Sequence, residues 1–267
     1  EEWKRAAKVD PMLRRWRFYL SSDPYTRWGL LKPRGYPGDA TLMDFAYGHP
    51  SVAPHLEAAG QVGAQIYSYT SRAPQSESAR QRIGLVRDAI TARARILPSM
   101  TLVSFASGHA RELEGLAPEV AGHIRRFVAL DADRQSLETA KTSGSAVPVV
   151  PVRLNVIKDE LPSIDPGDMV YSLGLFDYLS DEDAALVLAR MWSVVAPGGR
   201  LLIANLSPEA ANLGYCESMM DWWMITRDGD AMNRLGGTLA ERGAGVGRIR
   251  VSREGCFNYL IVDRVDR

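Results

Sequence analysis

The sequence predicts an α/β fold, an open and mostly parallel sheet covered by helices on both faces. Three observations carry that prediction. From about residue 98 onward, short apolar runs alternate with helical sequence, the pattern left by parallel strands and crossover helices. The last two apolar runs, "GRIRVSRE" and "CFNYLIVDRV", have only Glu254 and Gly255 at their junction, so they must pair as an antiparallel hairpin. Finally, 267 residues of which 46% are apolar and 24% charged suffice for one large α/β domain, or for one such domain with a small appendage, burying roughly 75% of the unfolded surface.

Residues 1–73 are aromatic and proline-rich without strand alternation, as in "RRWRFYL" and "DPYTRWGLLKPRGYPGD". They read as short helices joined by rigid turns, an N-terminal helical lid or cap. Residues 74–97 form a connecting helix: Ala79, Ile83, Val86, Ile90, Ala94 and Leu97 recur at helical spacing, and Pro98 ends it. Arg80, Arg82, Arg87, Arg93 and Arg95 lie largely off that stripe and read as a solvated face. Residues 98–267 form the sheet domain, with strands predicted at 101–106, 126–131, 149–154, 168–173 and 200–205 before the hairpin. Helices are predicted from near Arg111, over "RQSLETAK", over "DEDAALVLARMWSVV" with Ala185, Leu188, Ala189 and Trp192 on one side, and near 230–242.

Bulk composition excludes several function classes. Lys plus Arg total 32 and Asp plus Glu total 32, so no net field draws in nucleic acid. Cys216 and Cys256 stand alone, without zinc spacing, and read as buried free thiols; no metal site is expected. No leader and no run of about 18 apolar residues is present, so a cytoplasmic protein without membrane insertion is expected. Oligomeric state is not fixed by the sequence.

In an open parallel sheet, ligands bind beyond the carboxyl ends of the strands. Ser107-Gly108-His109 follow the first strand, where the amides of a following helix start would face a ligand. A pyrophosphate would need further glycines there; a nucleoside without phosphate needs only one. Asp131 ends the second strand, 23 residues after Gly108, where a carboxylate can accept both hydroxyls of a ribose. Alternatively Asp131 or Asp133 simply caps the next helix. Asn155-Val156 after the third strand can meet a base edge, or Asn155 can be a turn former. The fourth strand, ending near Ser172, releases "SLGLFDYL", in which Gly174 permits close approach, Phe176 suits the core, and Tyr178 can line a pocket.

Together "SGHARE", "ALDAD", "GLFDYLSDEDA", "PGGRLLIANLSP", "GYCESMMDWWMITR" and "KPRGYPGD" resemble class I S-adenosylmethionine-dependent methyltransferases. The likeness spans nearly the whole chain and points to a bacterial branch named for extracellular-factor 3-hydroxypalmitic acid methyl ester biosynthesis. In that branch a Gly-His-x-Arg-Glu turn replaces the usual glycine-rich one, which Gly108, His109, Arg111 and Glu112 match. The resemblance implies strand order 3-2-1-4-5-7-6 and S-adenosylmethionine as cofactor, held by Ser107, Gly108, His109, Asp131, Ala132, Asn155, Val156, Ser172 and Gly174.

"KPRGYPGDATLMDFAYG" reads either as an ordered loop whose Asp39 caps a helix, or as a lid with Arg34 near the cofactor carboxylate and Tyr36 near the sulfonium. Tyr215, Glu217 and Trp222 can line an acceptor pocket, with core packing as the alternative for the tryptophan. A carboxylate acceptor is already ionised and needs orientation by Arg34, Tyr36 or Tyr178; an amine or phenol needs a base such as Asp39, Glu217 or His109. The expected activity is methyl transfer to a small molecule, a carboxylate or secondary-metabolite acceptor. One alternative is intramolecular cyclisation of the cofactor to azetidine-2-carboxylate and methylthioadenosine; another is a non-catalytic cofactor-binding regulator.

Overall fold

The structure is a computed structural model and describes residues 2–144, 146–241 and 245–265. The chain divides into two compact units. One comprises the residues up to Gln81 together with Glu209–Met224; the other comprises Arg82–Pro208 and the residues from Ile225 onward.

The first unit is helical: α1 (Glu2–Val9), α2 (Pro11–Leu20), α3 (Pro24–Leu31), α4 (Ala40–Tyr47), α5 (Ala53–Ala58), α6 (Gly60–Thr70), the start of α7 (Pro74–Ala94), and α11 (Leu213–Met220). Asp-Pro pairs open α2 and α3: Asp10 and Asp23 cap the first-turn amides, while Pro11 and Pro24 occupy the position where a missing N–H costs nothing. Leu42, Phe45 and Val52 are fully buried in this unit, and Tyr25 stacks on Phe45 with ring centroids 6.1 Å apart. Gly29 lets α11 approach α3, since a Cβ there would lie 2.7 Å from Met220 Cε.

The second unit holds the sheet: β1 (Met100–Phe105), β2 (Ile124–Asp131), β3 (Val149–Arg153), β4 (Gly167–Ser172), β5 (Val195–Leu206), β6 (Val246–Glu254) and β7 (Phe257–Arg264). Seven strands lie in the order β3-β2-β1-β4-β5-β7-β6, as the resemblance implies. β1 to β5 are parallel, and β7 runs antiparallel to both β5 and β6. Helices α8 (Pro118–Gly122), α9 (Arg134–Ala140), α10 (Asp181–Ser193) and α12 (Gly229–Glu241) complete it. Val103, Phe105, Val128, Leu130 and Val170 form one core face of the sheet with Leu188 of α10. Both cysteines are buried thiols outside any disulfide, as expected. Among the described residues no helix is long and apolar enough to cross a membrane.

Three expectations fail for identifiable reasons. The helix predicted from Arg111 is a single 3-10 turn, Arg111–Leu113. Arg87 donates to the carbonyls of Arg111 at 2.8 Å and Glu112 at 3.0 Å, oxygens that an α-helix would offer to its own amides four residues on. Its guanidinium occupies the space beside Gly115, where a Cβ would come within 2.4 Å of Arg87 Cζ. Of the arginines expected on a solvated face, Arg95 is exposed, but Arg80, Arg82, Arg87 and Arg93 are not solvated in that way. Arg80 bonds the carbonyls of Ala46 and Ser71, Arg93 bonds that of Gly198, and Arg82 is buried against the Leu173 carbonyl. On α10 the buried stripe is Ala184, Val187, Leu188, Met191 and Trp192, so Ala185 and Ala189 flank it.

Candidate functional site

Strands β1 to β4 end at one rim, and the turns there hold ten of the residues singled out from sequence. β1 stops because Ala106 turns left-handed, with φ 53°; Gly108 and Ala110 follow at φ 54° and 52°. Two alanines in that region are costly, by about 1 kcal/mol each, and strain of this kind gathers at ligand-binding turns. The loop is held by Asp131: Gly108 donates its amide to Asp131 Oδ2 and Asp133 donates to Oδ1, each at 2.8 Å. Burial raises the Asp131 pKa above its ordinary value, opposed by those two amides. Asp133 is the cap of α9, accepting from Gln135 N and Ser136 Oγ, so Asp131 remains the carboxylate that faces the loop.

The Gly-His-x-Arg-Glu run is mostly scaffolding. Glu112 is buried beneath the turn and accepts from the Tyr171 phenol at 2.6 Å; burial pushes its pKa up. His109 is buried, with Arg111 Nη2 3.4 Å from its Nδ1. Two neighbouring hydroxyls behave differently. Ser107 Oγ, just past β1, and Ser172 Oγ, at the end of the adjacent β4, are buried without a hydrogen-bond partner, a state that buried hydroxyls rarely keep unless a ligand or water completes them. At Gly174 a Cβ would meet nothing within 4 Å, so the turn borders open space. Asn155 Oδ1 accepts from the amides of Ile157 and Lys158, as a turn former does, and Val156 is buried beside it. Ala132 follows Asp131, and its carbonyl accepts from Arg153. Tyr178 stands half-buried in the 3-10 turn Phe176–Tyr178.

The other candidates belong to the helical unit. Arg34 lies 3.4 Å from Thr41 Oγ1, and Tyr36 is 39% exposed. Asp39 is the cap of α4 and also accepts from the Trp28 indole at 2.9 Å. Tyr215 bonds Thr26, Glu217 accepts from the Trp3 indole at 2.6 Å, and Trp222 is buried.

Sequence reasoning passed over a buried ionic cluster between the ends of β4 and β5. Asp177 Oδ1 accepts from Leu206 N at 2.6 Å and Asn205 Nδ2 at 3.1 Å. Arg227 is 4% exposed and donates to the carbonyls of Phe176 and Leu179, each at 2.8 Å, and to Asn205 Oδ1 at 2.7 Å. Arg82 grips Leu173 O and stacks over Phe257, 4.3 Å from its centroid. Carbonyls 173, 176 and 179 are thus each held by a buried guanidinium, which fixes the turn carrying Gly174 and Tyr178. Only the lone Asp in "GLFDYL" hinted at this; a polar residue between two aromatic ones gives no sign of its partners.

Burial raises the Asp177 pKa to about 6, against the Leu206 amide and the charges of Arg82 and Arg227. A carboxyl raised on folding favours the folded state below the unfolded value near 4 and loses that contribution as pH rises through about 6, a swing of about 3 kcal/mol. Urea unfolding of the wild type and Asp177→Asn between pH 4 and 7.5 should show the variant gaining relative stability as pH rises. A pH-independent difference would mean that Asp177 does not titrate there.

Residues 103–203 match the methyltransferase-domain family, and that stretch contains all ten rim residues. The fold is the class I methyltransferase fold. No curated protein matches the sequence. Among solved structures the chain is similar to a possible exported protein from Bordetella parapertussis, at 20% identity and TM-score 0.66, over 85% of this chain and 79% of that one. It is also similar to magnesium protoporphyrin IX methyltransferase from Synechocystis. The form with bound S-adenosylhomocysteine shows 12% identity and TM-score 0.54, over 83% and 96% of the two chains. The form with bound S-adenosylmethionine gives 12% and 0.51, over 86% and 98%.

Proposed function

We propose that the chain binds S-adenosylmethionine at the rim of β1 to β4 and transfers its methyl group to a small-molecule acceptor, by O-methylation of a carboxylate. The observation that carries the reading is the Asp131 carboxylate bonded to the Gly108 amide within the stretch that matches the methyltransferase-domain family. The rim fits the cofactor: an acidic acceptor ends β2, two hydroxyls lack partners, and Gly174 borders open space. Asp131 would take the ribose hydroxyls, the amides after Gly108 and the Ser107 and Ser172 hydroxyls its polar arm, and Val156 the adenine face. When bound, the cofactor supplies an electrophilic methyl on a sulfonium.

The chain's own contribution is then positioning and exclusion of water, because displacement at a methyl carbon needs an aligned acceptor about 3 Å away rather than covalent help. A carboxylate acceptor suits the groups present. Asp39 already accepts from two amides and an indole, and Glu217 from an indole, so neither is poised as a base; an acceptor ionised at neutral pH needs none. The test is incubation with S-adenosylmethionine and a panel of carboxylic acids, followed by mass spectrometry. S-adenosylhomocysteine forming only when an acid is present is the expected result. Methylthioadenosine released without any acceptor would overturn it.

A further inference from the structure

Within the helical unit, Tyr25, Tyr69, Tyr215, Asn212, Gln75 and Cys216 line a cavity of about 20 Å³, room for one water-sized group. Its hydrogen-bond polarity is fixed from behind. Asp23 is fully buried and accepts from the amides of Tyr25 and Thr26 and from the hydroxyls of Thr26 at 2.6 Å and Thr70 at 3.0 Å. Four donors converge on one carboxyl group, whose burial raises its pKa against the pull of those same bonds, and both its oxygens act as acceptors. Thr26 spends its proton on Asp23, so the Tyr215 phenol, 2.7 Å from Thr26 Oγ1, must donate to Thr26. Tyr215 is left with oxygen lone pairs and no proton for a ligand.

The second acceptor is Asn212 Oδ1, buried and without a partner. The Gln75 carbonyl oxygen receives the Cys216 thiol at 3.0 Å. Charge points the same way. Among the described residues no cation pairs with Asp23; its only compensation is the start of α3, which it caps. A buried carboxylate normally has an ionic partner, and here a chain of two hydrogen bonds links it to the cavity. Leu213 and Gly214, whose amides head α11, do not line the cavity, whereas Gln75 and Ser76 in the first turn of α7 do, so an anion is the competing ligand that the test must separate.

We propose that this cavity is a binding site for a primary ammonium group, accepted by Tyr215 Oη and Asn212 Oδ1, surrounded by tyrosine rings and balanced by Asp23. Tyrosine faces add cation–π attraction, while a carboxylate head would meet lone pairs and a like charge. The site is independent of the methyl-transfer reading. It is a small pocket for a head group, with the remainder of the ligand projecting outward.

The test is saturation-transfer NMR on the full chain with butylammonium chloride, with butyrate and butanol at matched ionic strength. Butylammonium is expected to bind and the other two are not. Tyr215→Phe and Asn212→Gly should each weaken binding by about tenfold, as expected for loss of an acceptor to a charged donor. Gly is chosen because Asn212 has φ 69°. Asp23→Asn should weaken it further, but Asp23 also caps α3, so the first two variants decide. Butyrate binding equally well, or both variants binding as the wild type does, overturns the site. Ammonium binding in a chain that gives no heat with S-adenosylmethionine supports this site and sinks the proposed activity alone.

Discussion

Asp131→Ala is expected to weaken S-adenosylmethionine binding by at least about 100-fold, because it removes two charge-assisted hydrogen bonds worth about 1.5–3 kcal/mol each. The geometry makes the effect larger than ligand contacts alone. Asp131 also accepts the Gly108 amide, so its loss frees a loop whose left-handed residues Ala106 and Ala110 need an external anchor. Asp131→Asn keeps one acceptor and should fall between. Isothermal calorimetry at pH 7.5 measures both. As the Asp131 pKa is raised by burial, wild-type affinity should fall with pH as that carboxylate takes up its proton, whereas the alanine variant should show no such dependence. An Asp131→Ala dissociation constant within about threefold of wild type would remove the ribose role and, with it, the proposed site.

How much of this was legible in the sequence depends on whether the signal was local. β1 to β4 begin and end within two residues of the predicted spans, because apolar runs bounded by Gly, Pro and Asp are local signals. β5 starts earlier, at Val195, because the turn "APGG" is taken into the strand with a register shift opposite β4. The hairpin followed from a two-residue separation alone. The strand order required the family resemblance, since periodicity carries no neighbour information. Arginines were the main failure. Arg80, Arg82, Arg87 and Arg93 sit where a helical wheel predicts solvent, yet a side chain of that length reaches carbonyls from turns distant in sequence. Glu112 is visible in the sequence as part of a motif, but its burial under Tyr171 is not, because a buried carboxyl is recognised only by its partners. For Asp39 the sequence admits both a cap and a functional group, and its hydrogen bonds are those of a cap.

Arg227→Leu is expected to destabilise the chain by about 4 kcal/mol, the cost of removing one partner from a buried ionic cluster. The ion pair with Asp181, at 2.7 Å, contributes little, since the Asp181 side chain is 94% exposed. The loss lies elsewhere. Without the guanidinium, the carbonyls of Phe176 and Leu179 and the Asn205 amide oxygen lose their donor, and each buried orphan costs about 1–3 kcal/mol, partly shared by relaxation. Asp177 would keep only Arg82 as a nearby cation. Total stability of a domain is about 5–15 kcal/mol, so the variant should unfold at much lower urea. Arg227→Lys, with a single point of donation in place of the fork, should lose about half as much. Combining Asp177→Asn with Arg227→Leu should recover part of the loss, because the buried charge left uncompensated is then gone; two separate additive losses would mean that the residues do not act together. A midpoint for Arg227→Leu within about 1 kcal/mol of wild type would show that the turn after β4 is held by its own backbone, and that the guanidinium is a passenger there.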